Sequence, residues 1–315
     1  MEITAEGQKI LTLQLAAEHQ GQTLLSVLNA AFPSYPESSF IDACAAGYVK
    51  IDGTVAESAY KLVAGSVLEY LVPMQEEPEV DESIEIMYED EYFAVVNKPS
   101  NLPCHPSGRY YRNTLIEILK HKYGFANALM VNRLDRETSG VVIVAKSQES
   151  ASLLGKTLME QGFEKIYLVK VVGQWKHPSP YVARGYIWLE RGMVVRKKRV
   201  FSETEQRGQD CITELRLVSS DGEHSLVEAR PITGRPHQIR ATMKALGYPV
   251  VGDKLYGVDE TIYARMAAHE MTAEDWLLLE MSHQALHSWR TSFVNPYTGN
   301  HMEFQAKCAW LENNE

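Results

Sequence analysis

Arginine is missing from the first 90 residues. That stretch holds 16 Asp and Glu against 3 Lys, so 3 − 16 = −13. Residues 91–315 hold 28 Lys and Arg against 25 acids, 28 − 25 = +3, and the two sum to the chain's −10. A net acidic chain argues against a nucleic-acid partner, but acidity confined to one end removes that objection for the rest. Cysteine is scarce as well. Cys44, Cys104, Cys211 and Cys308 are scattered with no paired metal-ligand spacing, which predicts reduced thiols, a cytoplasmic setting and no metal site. No apolar run approaches the length of a membrane-spanning helix, and the opening Met1-Glu-Ile-Thr-Ala-Glu6 lacks the basic stretch of a secretory signal. No membrane partner is expected, and no internal repeat is visible.

What is present is ordinary in bulk and specific in places. A chain of 315 residues with 45% hydrophobic content can bury a sizeable core in one large domain or two smaller ones. The stretch Leu71-Val-Pro-Met-Gln-Glu-Glu-Pro-Glu-Val-Asp-Glu82 is acidic and broken by prolines, and so predicts a linker over 76–84 between a small module at 1–75 and a larger domain at 85–315. In the module, Thr23–Leu28 has helical spacing and Tyr48–Gly53 reads as a strand entering an Asp-Gly turn. In the larger domain, Tyr92–Val96 is a strand stopped by Pro99, Thr114–Glu117 caps a helix, and Ser147–Gln161 is a second helix. Phe163–Val172, apolar on both faces, reads as a central strand, and Cys211–Val218 with Ser225–Ile232 as a hairpin turning at Gly222. The fold class is α+β: a catalytic domain built on a mixed or antiparallel sheet with flanking helices, and a small N-terminal α/β module.

The most informative segment is Val131-Asn-Arg-Leu-Asp-Arg-Glu-Thr-Ser-Gly140. It sets the carboxylate of Asp135 between Arg133 and Arg136 and runs straight into Val141-Val-Ile-Val144, a polar loop entering a buried strand. Spacing alone leaves open whether Asp135 is a structural turn residue or a reactive group. Phe93-Ala-Val-Val-Asn-Lys-Pro99 with His105-Pro106, Lys165-Ile-Tyr167, Gly234-Arg-Pro-His-Gln-Ile-Arg240, Gly247-Tyr-Pro-Val-Val-Gly-Asp253 with Tyr256-Gly257, and Ala285-Leu-His-Ser288 with Phe293 and Pro296 follow in order. Together these resemble the motifs of RluA-type RNA pseudouridine synthases over about residues 85–310. The small module resembles the RNA-binding domain shared with a ribosomal small-subunit protein, although its stretch Ser38–Gly47 carries no base where that domain carries Arg and Lys. Asn132 stands where the family usually has His, as in a branch that includes eukaryotic transfer-RNA enzymes, and Pro236 stands where Thr is usual.

The resemblance implies an isomerase that acts on specific uridines in structured RNA, ribosomal or transfer, as a monomer and without cofactor. It implies that Asp135 is the nucleophile, attacking either the ribose or the base, with Arg240 paired to it. Tyr167 would stack on the target uracil and assist proton removal from carbon 5, and Arg133 would fill the gap left when that base flips out. Asn132 and Leu286 are expected at the substrate pocket. Without the resemblance, Tyr167 reads as a core residue with a satisfied hydroxyl, and Arg240, near the start of a helix begun by Pro236, reads as the cation beside the carboxylate, with a phosphate contact as the alternative. Arg196-Lys197-Lys198-Arg199, near Tyr186 and Trp188, is the strong basic cluster and a candidate RNA-backbone contact. His283 and His287 have the spacing of a helical metal pair but lack the accompanying Glu, and Ala285-Leu-His287 suits a strand better. A glycosidase built on Asp135 would need a second carboxylate, for which Glu137 is the nearest choice. Val258–Met281 reads as an added helical lid or partner surface.

Overall fold

A computed structural model describes residues 2–3, 9–32, 37–72, 77–190 and 198–312. The chain divides into two compact units, Met1–Glu76 and Glu77–Glu315. The first contains strands β1 (Glu2–Ile3), β2 (Lys9–Gln14), β3 (Val49–Ile51), β4 (Thr54–Val55) and β5 (Val67–Val72), ordered β1-β2-β5-β3-β4 in one sheet. Two helices, α1 (Leu24–Ala31) and α2 (Glu37–Ala45), complete it. Thr23 caps α1 by accepting from the Ser26 amide, and Leu24, Val27 and Leu28 turn inward onto Phe40, Val49 and Leu68. The outward positions of α2 include Glu37 and Asp42 and no cation.

The first unit ends within one residue of the expected 1–75, but the second begins at Glu77 rather than at 85. From Glu77 onward the acidic stretch belongs to the second unit: the Glu77 carboxylate accepts from the amides of Tyr111, Arg112 and Asn113, each at 2.8 Å. These bonds outweigh burial and hold Glu77 below the usual carboxylate range. Val80 packs into the core beside Ile84. With the boundary at 77 the charges redistribute: residues 1–76 hold 9 acids and 3 Lys, 3 − 9 = −6, and residues 77–315 hold 32 acids and 28 Lys and Arg, 28 − 32 = −4. The larger unit is therefore mildly acidic rather than mildly basic.

Its strands are β6 (Glu85–Glu89), β7 (Phe93–Lys98), β8 (Leu129–Met130), β9 (Ser139–Ala145), β10 (Glu164–Val172), β11 (Tyr181–Leu189), β12 (Arg199–Ser202), β13 (Gln209–Ser220), β14 (His224–Pro231), β15 (Leu286–Val294) and β16 (His301–Gln305). Among the described residues they form one eleven-stranded sheet, ordered β12-β11-β13-β14-β10-β15-β9-β7-β6, with β16 also paired to β15 and β8 to β9. All pairings are antiparallel except β9 with β15, so the sheet is mixed. Strand β9 is buried on both faces. Val142 and Val144 pack under helix α3 (Leu115–Lys122), while Val141 and Ile143 meet Leu154 of helix α4 (Gln148–Thr157). This continuous apolar run stiffens the exit of the 131–140 loop. A second core lies under helix α5 (Gln238–Ala245), where Ile239 and Met243 cover Val169, Cys211 and Val227. Tyr167 on β10 touches both cores. The added segment is helical, as expected, in α6 (Ile262–Ala268) and α7 (Ala273–Leu279).

Candidate active site

The 131–140 loop is held from several directions. Asp135 and Thr138 close a turn through the Thr138 amide and Asp135 carbonyl at 3.1 Å. The Cys104 thiol accepts from the Leu134 amide at 3.3 Å, and the buried Lys98 ammonium donates to the carbonyls of Pro99, Leu102 and Arg136 at 2.8, 2.9 and 3.1 Å. Burial pulls Lys98 down to about 8, partly offset by nearby carboxylates including Asp135. Asn132 accepts from the Ile143 amide at 2.8 Å, so its carbonyl oxygen serves the loop's own fold. Gly140, at φ +111°, lies where β9 meets β15, and a Cβ there would collide with the backbone of Ser288. The Gly of this motif is therefore set by strand contact.

Helix α5 brings a guanidinium to this loop. Pro236 does not start the helix. It precedes His237, the cap residue, which takes a left-handed conformation (φ 57°, ψ 17°), and the helix begins at Gln238. Arg240 thus sits in the first turn, where the helix end itself favours an anion. Its Nη1 donates to Asp135 Oδ2 at 2.6 Å, while Nε and Nη2 form a two-pronged bond to Asp253 at 2.7 and 2.9 Å. Asp253 also accepts from the amides of Leu255 and Tyr256, both at 2.9 Å. The guanidinium lies 4.9 Å above the centre of the Tyr256 ring. Burial alone would push Asp135 up. The Arg240 charge and hydrogen bond reverse that and hold it below the usual carboxylate range, ionised at neutral pH. Tyr167 is pushed up to about 12 by burial, with the Asp135 charge adding to the rise and the Ser288 hydroxyl, its cross-strand neighbour, opposing it. A register shift between Ile166 and Tyr167 against β15 sets the direction of this ring beside the loop.

The structure thus brings Asp135, Arg240 and Tyr167 to one place. Arg133 is exposed and makes no hydrogen bond or ion pair among the described residues. Two expectations need correction. Leu286 is buried in the α5-side core opposite Val169, because β15 turns that position inward. Lys198 is no free surface cation: it is buried and pairs with Glu260 at 2.8 Å. Arg199 is half-buried, with its amide bonded to the Tyr256 hydroxyl, and Arg196 and Lys197 lie outside the described residues. His287 engages both ring nitrogens, with Ser139 at 2.8 Å and the Ala306 carbonyl at 3.3 Å, and burial lowers it to about 4.

Several partners escaped the sequence reading. Asp253 and Tyr256 were visible only as motif letters. Glu137 is clamped between Arg136 at 2.8 Å and the buried Lys254 at 2.9 Å, and Gln284 bonds Thr138. Two cations on one buried carboxylate leave Glu137 unsuited as the second catalytic acid of a glycosidase.

The family model for RNA pseudouridylate synthase matches residues 92–245. The ribosomal large subunit pseudouridine synthase D of Zymomonas mobilis is 31% identical over 245 residues, covering 75% of this chain and 72% of that protein. The chain belongs to the RluA-type RNA pseudouridylate synthase family. The mitochondrial tRNA pseudouridine(32) synthase of Saccharomyces cerevisiae is 33% identical over 214 residues, 68% of this chain, but that match spans only 46% of the yeast protein. Among solved structures, human RNA pseudouridylate synthase domain containing 1 shares the fold, with a TM-score of 0.60 at 23% identity over 76% of this chain and 89% of that one.

Proposed function

We propose that the protein is an RNA pseudouridine synthase that isomerises particular uridines of ribosomal or transfer RNA, with Asp135 as nucleophile. The observation that carries this reading is the Asp135–Arg240 pair, an ionised carboxylate held rigid in a partly enclosed site beside Tyr167. Isomerisation breaks the bond between ribose and N1 of uracil, turns the base and rejoins it through carbon 5, with loss of the carbon-5 proton. A carboxylate that stays charged on burial suits both routes open to it, attack on the ribose carbon or addition to the base. Tyr167 stacks on the uracil. Its raised pKa keeps the phenol protonated, so proton removal through it requires substrate to change its surroundings. Arg133, free and planar, fills the stack behind the flipped base.

All the proposed groups come from one chain, which supports a monomer. No helix among the described residues is long and apolar enough to cross a membrane, and the four cysteines are free and buried, which supports action in a reducing compartment such as the cytoplasm. Mapping pseudouridine in total RNA from cells with and without the gene tests the proposal. Loss of one or a few sites on deletion, restored by the wild-type gene, is the expected result. An unchanged map would contradict it.

A further inference from the structure

The two oxygens of Asp135 have unlike surroundings. Oδ2 is held by Arg240, whereas Oδ1 has no hydrogen-bond partner among the described residues, and His237 Nε2 stands 4.0 Å from it. That distance is too long for a hydrogen bond, so His237 Nε2 is not committed to Asp135 and can meet a substrate oxygen that approaches the two groups from one side. Three of the five N–H groups of Arg240 are committed to Asp135 and Asp253, and His237 Nε2 is the ring nitrogen that stands beside the uncommitted Oδ1.

The state of His237 follows from its other nitrogen. The Arg199 amide donates to the Tyr256 hydroxyl oxygen at 2.7 Å, and that oxygen lies 2.9 Å from His237 Nδ1. Tyr256 is buried, and no other acceptor for its proton is found among the described residues. If Nδ1 carried a hydrogen, the phenol proton would be left buried and unpaired, a costly arrangement. The phenol therefore donates to Nδ1, and a neutral ring then carries its proton on Nε2. Burial lowers the His237 pKa, outweighing the Asp135 charge, and favours that neutral ring. The left-handed backbone at His237, a conformation His tolerates better than most residues, directs the ring toward the loop.

We propose that His237, as the neutral Nε2–H tautomer, donates a hydrogen bond to a carbonyl oxygen of the target uracil, and that Tyr256 is a positioning residue that fixes this tautomer. The inference rests on the pseudouridine synthase reading and adds a catalytic group to it. When Asp135 Oδ1 bonds to the ribose carbon, the bond to N1 breaks and its electron pair stays on the base, spread over N1 and the carbonyl oxygens. When Oδ1 adds instead to carbon 6, the displaced pair moves onto carbon 5 and O4. In both cases negative charge grows on a carbonyl oxygen. A fixed neutral donor stabilises it without giving up its proton, so His237 transfers nothing and is unchanged through the cycle.

The test uses the full chain labelled with 15N at its histidines, the His237 signals being assigned by their loss in His237→Gln. Long-range proton–nitrogen correlation should show the Nε2–H tautomer at neutral pH in the wild type and a mixture of tautomers in Tyr256→Phe. Single-turnover isomerisation of an RNA carrying the mapped uridine should slow about 100-fold in His237→Ala, the scale of one lost donor to a developing oxyanion. RNA affinity should hold within about threefold, a binding change under 1 kcal/mol. His237→Gln, whose amide can donate from a similar place, should recover part of the rate. Tyr256→Phe keeps the ring beneath Arg240, and its mixed tautomers and slower turnover carry the test if His237→Ala does not fold. An Nδ1–H tautomer or a charged ring in the wild type, or a His237→Ala rate equal to that of an active wild type, would overturn this inference alone. A wild type that isomerises no RNA would overturn the parent reading and this one with it.

Discussion

At the residue scale, the carboxylate of Asp135 owes its charge to a contest that burial would otherwise win. Arg240 settles it while also neutralising the fully buried Asp253, so a single guanidinium serves two carboxylates. Replacing it should act on both. In Arg240→Gln we expect isomerisation to fall by on the order of 100-fold or more, the scale of losing one preorganised charge partner. The acid side of the pH–rate profile should also move to higher pH, because burial then raises Asp135 unopposed. Stability should follow the same sign. A carboxylate held below its unfolded pKa stabilises the fold above the unfolded value, and that contribution is lost as pH falls through the lowered value. Without Arg240 the loss begins at higher pH, and leaving Asp253 unpaired should cost about 3–5 kcal/mol in denaturant unfolding. A single-turnover pH series with parallel melts checks both, and an unmoved acid limb would assign Arg240 to RNA contact instead. The Asp135–Arg240 pairing was legible in the sequence because both residues sit in motifs. The tie of Arg240 to Asp253 was not, since nothing in a linear pattern shows that a guanidinium has donors to spare.

At the element scale, the site depends on β9 and β15 lying side by side, the sheet's one parallel contact among the described residues. Gly140 permits it. Gly140→Ala should destabilise the larger unit by more than about 2 kcal/mol, through both a left-side φ and a clash with the Ser288 backbone. Urea unfolding measures this, and a loss below about 0.5 kcal/mol, the scale of a neutral surface change, would mean the strands shift freely. The strands and helices themselves read well from periodicity: β10 is central, β13 and β14 form the hairpin, and Thr114 caps α3. What failed were side-chain directions. Leu286 was expected at the pocket but β15 points it into the core, and Lys198 was expected on the surface but Glu260, from the segment leading into α6, draws it inward. Both outcomes depend on elements distant in the chain.

At the scale of the whole molecule, composition took residues 77–84 for linker because an acidic, proline-containing stretch looks like a linker whether or not its carboxylates have partners. Glu77 has three. A fragment 77–315 should therefore melt higher than a fragment 82–315, and a reversed order would show that the Glu77 bonds contribute nothing. The first unit, at −6 with no arginine and an outward face of α2 bearing only acids among its charges, should repel phosphate at close range. We expect fragment 77–315 to bind substrate RNA at least as tightly as the full chain in fluorescence anisotropy at two salt concentrations. A tenfold weakening, about 1.4 kcal/mol, would show that the first unit contributes to binding.

The claim on which the rest depends is that Asp135 attacks a uridine that then exchanges its bond from N1 to carbon 5. RNA carrying tritium at carbon 5 of uridine reports that exchange directly, because the label leaves as water when the new bond forms. The account predicts tritium release by the wild type with no free uracil and no strand cleavage. It predicts none from Asp135→Asn, which should still bind the RNA because the amide keeps the shape of the carboxylate. Tritium release by Asp135→Asn at a rate near that of the wild type would contradict it.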